Sequence, residues 1–265
     1  MEDAHITSMN LAGDPKSALF AVFDGHGGSE VAKFCARHFE DRLLGCVHWQ
    51  HKNYENALKY TFLLMDELLA SKDAIKELHI LKNKDPTNPP VVESNAGCTA
   101  NVLLIIGGNF YIANAGDSRC YVKNQLQILA LSEDHKPDCP EELRRILKAG
   151  GTVTNGRVMG HLNLSRAIGD LEHKNNENLK PSEQMVTAMP EVVTRKIGAG
   201  DKYLILGCDG VWELQNPTEI FGHIDKCGGN LEQAAEKILD CGLADIVGGQ
   251  GCDNMSVIIV EMKGA

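Results

Sequence analysis

The chain has 265 residues, 43% hydrophobic and 23% charged, the composition of an ordinary globular protein long enough to bury a sizeable core. Its formal net charge of −10 argues against a nucleic-acid or anionic-membrane partner, and no apolar run approaches the length of a membrane span. Nine cysteines, an odd number with no C-x-x-C pair and no signal peptide before them, fit reduced thiols in the cytoplasm or nucleus.

The first strong element is "LFAVFDGHGG", Leu19 to Gly28, a run apolar enough to be buried that ends in Asp24, Gly25 and His26. From Ser29 to about Leu44 apolar residues recur at helical spacing, with Ser29 as N-cap and Gly45 as stop. A second, longer helix is expected from Tyr54 to about Leu81, followed by a Pro- and Asn-rich surface loop, "NKDPTNPPVVESN". The β-rich stretch from Cys98 to Leu131 predicts an antiparallel meander, with turns at Gly107-Gly108 or Gly108-Asn109 and at Asn124-Gln125.

"PEELRRILKAGG" carries Pro140 at a first-turn position, acids early, bases late and glycines at its end, and so predicts a helix. After Asp170 the chain is polar and irregular, "KYLILGCDG" and "NMSVIIVEM" read as strands, and "NLEQAAEKILDCGLAD" reads as a helix. Hairpins dominate this order, which favours an α+β layered domain with antiparallel sheets over a doubly wound parallel sheet.

Several apolar runs end alike: "LFAVF" in Asp24-Gly25, "YLILGC" in Asp209-Gly210, and "FYIANAG" in Asp117, while Asp253 precedes the last strand. If these strands lie side by side, the acids gather at one mouth. A carboxylate at a buried strand end is costly unless a cation meets it, and several cannot all ionise within a few ångströms without metal ions. Oxygen donors without a Cys/His constellation favour Mg²⁺ or Mn²⁺ over Zn²⁺. Taken singly, each Asp-Gly is a common turn; the joint pattern carries the argument.

"MEDAH", "VFDGHGG", "AGCTAN", "ANAGDSR", "EDHKP", "AGGTVTNGRVMGHLNLSRAIGD", "MPEV", "LILGCDGVWE" and "GCDNMSV" run in order along nearly the whole chain. In them the sequence resembles the metal-dependent Ser/Thr protein phosphatases of type 2C. The resemblance implies a four-layer α-β-β-α sandwich, two antiparallel β-sheets flanked by helix pairs, with a binuclear Mg²⁺/Mn²⁺ site at one end.

By that resemblance Asp24 bridges both metals, Asp209 and Asp253 complete one shell, and Glu2 and the carbonyl of Gly25 hold the other. Asp117 matches a residue that, with Asp209, helps hold a weaker third metal in some members. A water or hydroxide between two metals is expected to attack the phosphorus of phosphoserine or phosphothreonine directly. His26 matches the proposed general acid for the leaving alkoxide, although a lone histidine elsewhere would read as a loop hydrogen-bonder. The implied protein is a signalling phosphatase, a monomer acting on phosphoproteins, in the cytoplasm or nucleus.

Competing signals carry less weight. Cys139 and Arg145 form the C-x5-R spacing of tyrosine phosphatases, but Pro140 lacks an N–H and Glu141 and Glu142 repel phosphate. Cys35 with His38 and Cys46 with His48 lack the partner pairs of a zinc site. Ser165, Arg166, Asp170 and Thr99 are expected to support the site or the fold without touching substrate, and Leu171 to Met189 corresponds to the family's variable flap beside the site.

The family also carries a phosphate-gripping arginine shortly before the first acids. This sequence begins at Met1, so the single catalytic domain expected over residues 1–265 lacks that arginine and the family's first strand. Glu213 stands where the family usually has Asp, outside the expected metal shell. Two alternatives compete: a non-catalytic phosphoprotein-binding member, which should have lost a metal acid, and a different metal-dependent phosphoesterase such as a nuclease, which the net charge disfavours.

Overall fold

A computed structural model of the chain describes residues 1–83, 95–246, 248 and 251–263. In chain order it opens with strands β1 (Ala4–Met9), β2 (Ala18–Phe23) and β3 (Gly25–His26) and helices α1 (Glu30–Gly45), α2 (Val47–Gln50), α3 (Tyr54–Leu69) and α4 (Lys72–Asn83). Strands β4 (Gly97–Cys98), β5 (Ala100–Ile106), β6 (Asn109–Ala115), β7 (Arg119–Asn124) and β8 (Ile128–Ala130) follow. Then come α5 (Pro140–Lys148), β9 (Val153–Thr154), β10 (Arg157–Val158), β11 (Ile168–Gly169), β12 (Glu191–Lys196) and β13 (Asp201–Gly207). The last elements are α6 (Asp209–Trp212), α7 (Pro217–Lys226), α8 (Leu231–Gly242) and β14 (Val257–Glu261).

A five-stranded sheet runs β1-β2-β5-β6-β12 and a four-stranded sheet β14-β13-β7-β8, every pair antiparallel. The period of two explains how β2 serves two cores at once. Leu19, Ala21 and Phe23 pack with Phe34 and Phe39 of α1 and Phe62 and Met65 of α3. Ala18, Phe20 and Val22 face the other way, with Val122, Leu204, Leu206 and Ile258 of the four-stranded sheet. That second core continues to Ile220 and Phe221 of α7 and Ile238 of α8. The layers are therefore helices, sheet, sheet, helices, the expected α-β-β-α sandwich. A strand buried on both faces reads as a continuous apolar run, which is why "LFAVF" shows no alternation.

Four local expectations need correction or refinement. The single helix expected over Tyr54 to Leu81 is two: α3 ends at Leu69, and Ser71 starts α4 by accepting the amide of Ala74 on its Oγ at 3.2 Å. Helix α7 was not foreseen, although Asn216, Pro217 and Glu219 form a capping box with proline at the first turn. The turn at Asn124-Gln125 is centred on Gln125 and Leu126, because Asn124 Oδ1 accepts the amides of Leu126 and Gln127, both at 2.8 Å. Ser29 sits at the N-cap of α1 without capping; its Oγ accepts from Lys33 Nζ at 2.7 Å.

The Gly107-Gly108 turn takes positive φ at both residues (59° and 74°), as a tight hairpin requires. Of the Pro- and Asn-rich stretch, residues 84–94 lie outside the described residues. No helix among the described residues is long and apolar enough to cross a membrane.

Candidate metal centre

Both sheets deliver acids to one end of the sandwich. Asp24 follows the last residue of β2, Asp209 follows β13 and begins α6, and Asp117 lies in the turn from β6 to β7 that passes from one sheet to the other. Oxygens of these three carboxylates lie within 4.8 Å of one another. Thr99 fastens the arrangement: its amide donates to Asp24 O at 2.8 Å, and its Oγ1 lies 2.8 Å from the hydroxyl of Ser118, next to Asp117. It thus hydrogen-bonds beside the acids, as expected.

Burial, reinforced by Asp209, Asp3 and Asp117, pushes the Asp24 carboxyl up to about 9. Burial, with Asp117 and Asp253, pushes Asp209 up to about 6. Without cations, then, Asp24 stays protonated near neutral pH and shares a hydrogen bond with Asp209. Oδ1 of Asp209 and Oδ1 of Asp3 are buried without any hydrogen-bond partner among the described residues. Crowded carboxylates with orphaned oxygens and no sulfur or imidazole among the three are what hard divalent cations fit.

The other predicted ligands stand around this group. The amide of Glu2 donates to Asn254 Oδ1 at 2.5 Å, tying the N-terminal segment to the loop that carries Asp253. A Cβ on Gly25 would sit 2.5 Å from Glu2 O, so the glycine is what allows the two backbones to approach. Asp253 is exposed, accepts the Asn254 amide at 2.7 Å and acts on Asp209 through its charge. Neither Glu2 nor Asp253 belongs to the tight group of three.

His26 lies across β4 from Asp170, because β3 and β11 pair with β4 on opposite sides. Its Nε2 is 2.8 Å from Asp170 Oδ2, and Asp170 is only 4% exposed. Asp170 reaches it from a left-handed backbone (φ 49°), and a Cβ on Gly97 would strike both side chains. Of the "SRAIGD" residues, Asp170 therefore supports the candidate acid, while Ser165 and Arg166 bind Glu142 away from it.

Two residues escaped the sequence reading. Asp3, 8% exposed, accepts Ser256 Oγ at 2.7 Å on Oδ2 and turns its charge toward Asp24. Its signal was its place as the second acid of "MED". Lys136 donates its ammonium to Asp117 Oδ2. Its only signal was the "EDHKP" motif.

The competing signals dissolve. Arg145 donates to Glu142, to Gln184 O and to Ser165 O, leaving no phosphate loop at Cys139. Cys35 faces Cys98 across 3.8 Å, His38 bonds Glu77, and Cys46 caps α2. Glu213 accepts the Gly251 amide at 2.8 Å.

A family model described as protein phosphatase 2C matches residues 1–249. A Paramecium tetraurelia protein named "Probable protein phosphatase 2C 6" is 47% identical over 267 residues, covering 99% of this chain and 88% of the relative. An Arabidopsis thaliana protein, "Probable protein phosphatase 2C 21", is 37% identical over 297 residues, covering 99% and 83%. Among solved structures, a phosphatase from a pathogenic strain of Toxoplasma gondii superposes with a TM-score of 0.75 at 25% identity, covering 100% of this chain and 89% of that one.

Proposed function

This chain belongs to the protein phosphatase 2C family, metal-dependent protein phosphatases, and from that premise we propose that its carboxylate centre hydrolyses phosphoserine and phosphothreonine with two Mg²⁺ or Mn²⁺ ions. The observation that carries this reading is the meeting of Asp24, Asp117 and Asp209 from two different sheets. In the proposal Asp24 would serve both cations, Asp209 and Asp253 would hold one, Glu2 and the Gly25 carbonyl would hold the other, and Asp117 would hold a weaker third. Bound cations would supply Lewis acidity for the phosphoryl oxygens and would lower the pKa of a bound water.

The chain's own residues do the rest. Asp3, whose charge acts on Asp24, has a buried oxygen without a partner among the described residues that could accept a hydrogen bond from an attacking water. His26 donates its proton to the seryl or threonyl oxygen as the phosphorus–oxygen bond breaks, which spares the expulsion of an alkoxide. Asp170, hydrogen-bonded to Nε2, orients the ring. The outlook of the whole chain agrees: a net charge of −10 and nine free cysteines suit one catalytic domain acting as a monomer on phosphoproteins in the cytoplasm or nucleus.

The test is hydrolysis of a phosphothreonine peptide with Mn²⁺, against EDTA, by wild type and Asp209→Asn. The expected result is a loss of at least about 100-fold for the variant, with unchanged circular dichroism. Turnover like wild type would show that the reacting centre lies elsewhere.

A further inference from the structure

The acid assigned the weakest cation already has a cation of its own. Lys136 Nζ bonds Asp117 Oδ2, and the lysine side chain is 36% exposed while the aspartate is 4% exposed. The ammonium is held there by construction. His135 donates its amide to Gly116 O at 3.0 Å and accepts the Gly116 amide on Nδ1 at 3.3 Å. Arg119 grips Asp134 through two bonds of 2.8 Å, and Asn114 Nδ2 donates to Glu133 O at 2.8 Å. Residues 133–136 are thus stapled to the turn that carries Asp117, and a four-carbon stem places the charge. Arg119, the nearest other cation on that turn, is committed to Asp134.

We propose that Lys136 is a tethered counter-ion for Asp117, which a divalent cation must displace, so that this lysine sets the affinity of the weakest metal site. The inference rests on the function proposed above and concerns only that one site. A charge fixed to the chain competes at high effective concentration, as a second linked binding group does. Its effect also reaches Asp209, whose carboxyl it draws downward. While Lys136 holds Asp117, that carboxylate already has its cation; once the lysine swings out, Asp117 is left to take a divalent ion.

The experiment counts Mn²⁺ on the full chain by the electron-spin resonance signal of free Mn²⁺, for wild type, Lys136→Gln, Lys136→Arg and Asp117→Asn. Lys136→Gln should tighten the weakest site about tenfold, the low end of what one charge-assisted hydrogen bond is worth. Lys136→Arg should leave that site near its wild-type affinity, and Asp117→Asn should abolish it. A weakest site unchanged in Lys136→Gln, or still present in Asp117→Asn, overturns the proposal. Loss of every tight site in the wild type would instead sink the reading of the centre itself.

Should Lys136→Gln not fold, the wild type carries the test, with Lys136→Arg serving to identify one signal. With lysines ¹³C-methylated and the Lys136 signal identified by its absence from Lys136→Arg, Mg²⁺ should shift that signal only as the weakest site fills. A signal unmoved at saturating Mg²⁺ overturns the proposal as well.

Discussion

Two buried acidic centres in this molecule have opposite fates. Glu142 of α5 is surrounded by Arg166, Arg145 and the Ser165 hydroxyl, with contacts of 2.6 to 3.1 Å. Burial would raise its carboxyl, but Arg166 and Arg145 overcome burial and bring it down to about 2. Asp24 has acids for neighbours, and burial and those acids drive it up to about 9. The first cluster is complete without any ligand; the second is left short of positive charge. A functional site shows itself here as the partly buried cluster that its own fold does not satisfy.

The contrast can be broken from either side. Asp24→Asn should cost the largest factor, at least about 100-fold in turnover on a phosphopeptide, while the melting temperature in EDTA holds or rises because folding no longer has to protonate a carboxyl that ionises freely in the unfolded chain. Glu142→Gln should do the reverse. Stranding two buried arginines costs about 3–5 kcal/mol, on the order of 10 °C in melting temperature, with Mn²⁺ affinity little changed.

Titration sharpens the comparison. Asp24 binds its proton more tightly folded than unfolded, so in EDTA its contribution is complete below about pH 4 and is lost as pH rises toward 9. Glu142 works the other way, contributing above its ordinary value and losing that contribution as pH falls toward 2. Melting curves in EDTA should therefore show stability declining across the neutral range, and saturating Mg²⁺ should flatten the decline. A flat profile in EDTA would count against the buried, like-charged cluster. The smallest effect is expected for Ser71→Ala, about 1 kcal/mol of thermal stability from the lost cap of α4, with no change in Mn²⁺ affinity.

Much of this was legible before the fold was known. Asp24, Asp117 and Asp209 each close an apolar run, so the pattern marked them as acids at strand ends; that two different sheets bring those ends to one mouth of the sandwich only the packing of the layers shows. What escaped depended on three-dimensional detail. Asp170 reaches His26 from 144 residues away through a left-handed backbone. Asp3 and Glu2 are adjacent acids, and only the contact with Ser256, 253 residues away, shows that Asp3 is the one turned inward. The break at Ser71 was hidden because one hydroxyl ends a helical pattern that apolar spacing carries straight through. Helix α7 was visible in its capping residues and was passed over for want of a long apolar stripe.

Asp24 hangs from one sheet and Asp209 from the other, with Asp117 on the link between them. Cation affinity therefore doubles as a gauge of how the two sheets are aligned. Enlarging a side chain where they meet, such as Val22 or Leu206, would slide one layer against the other and detune the centre while the protein remained folded.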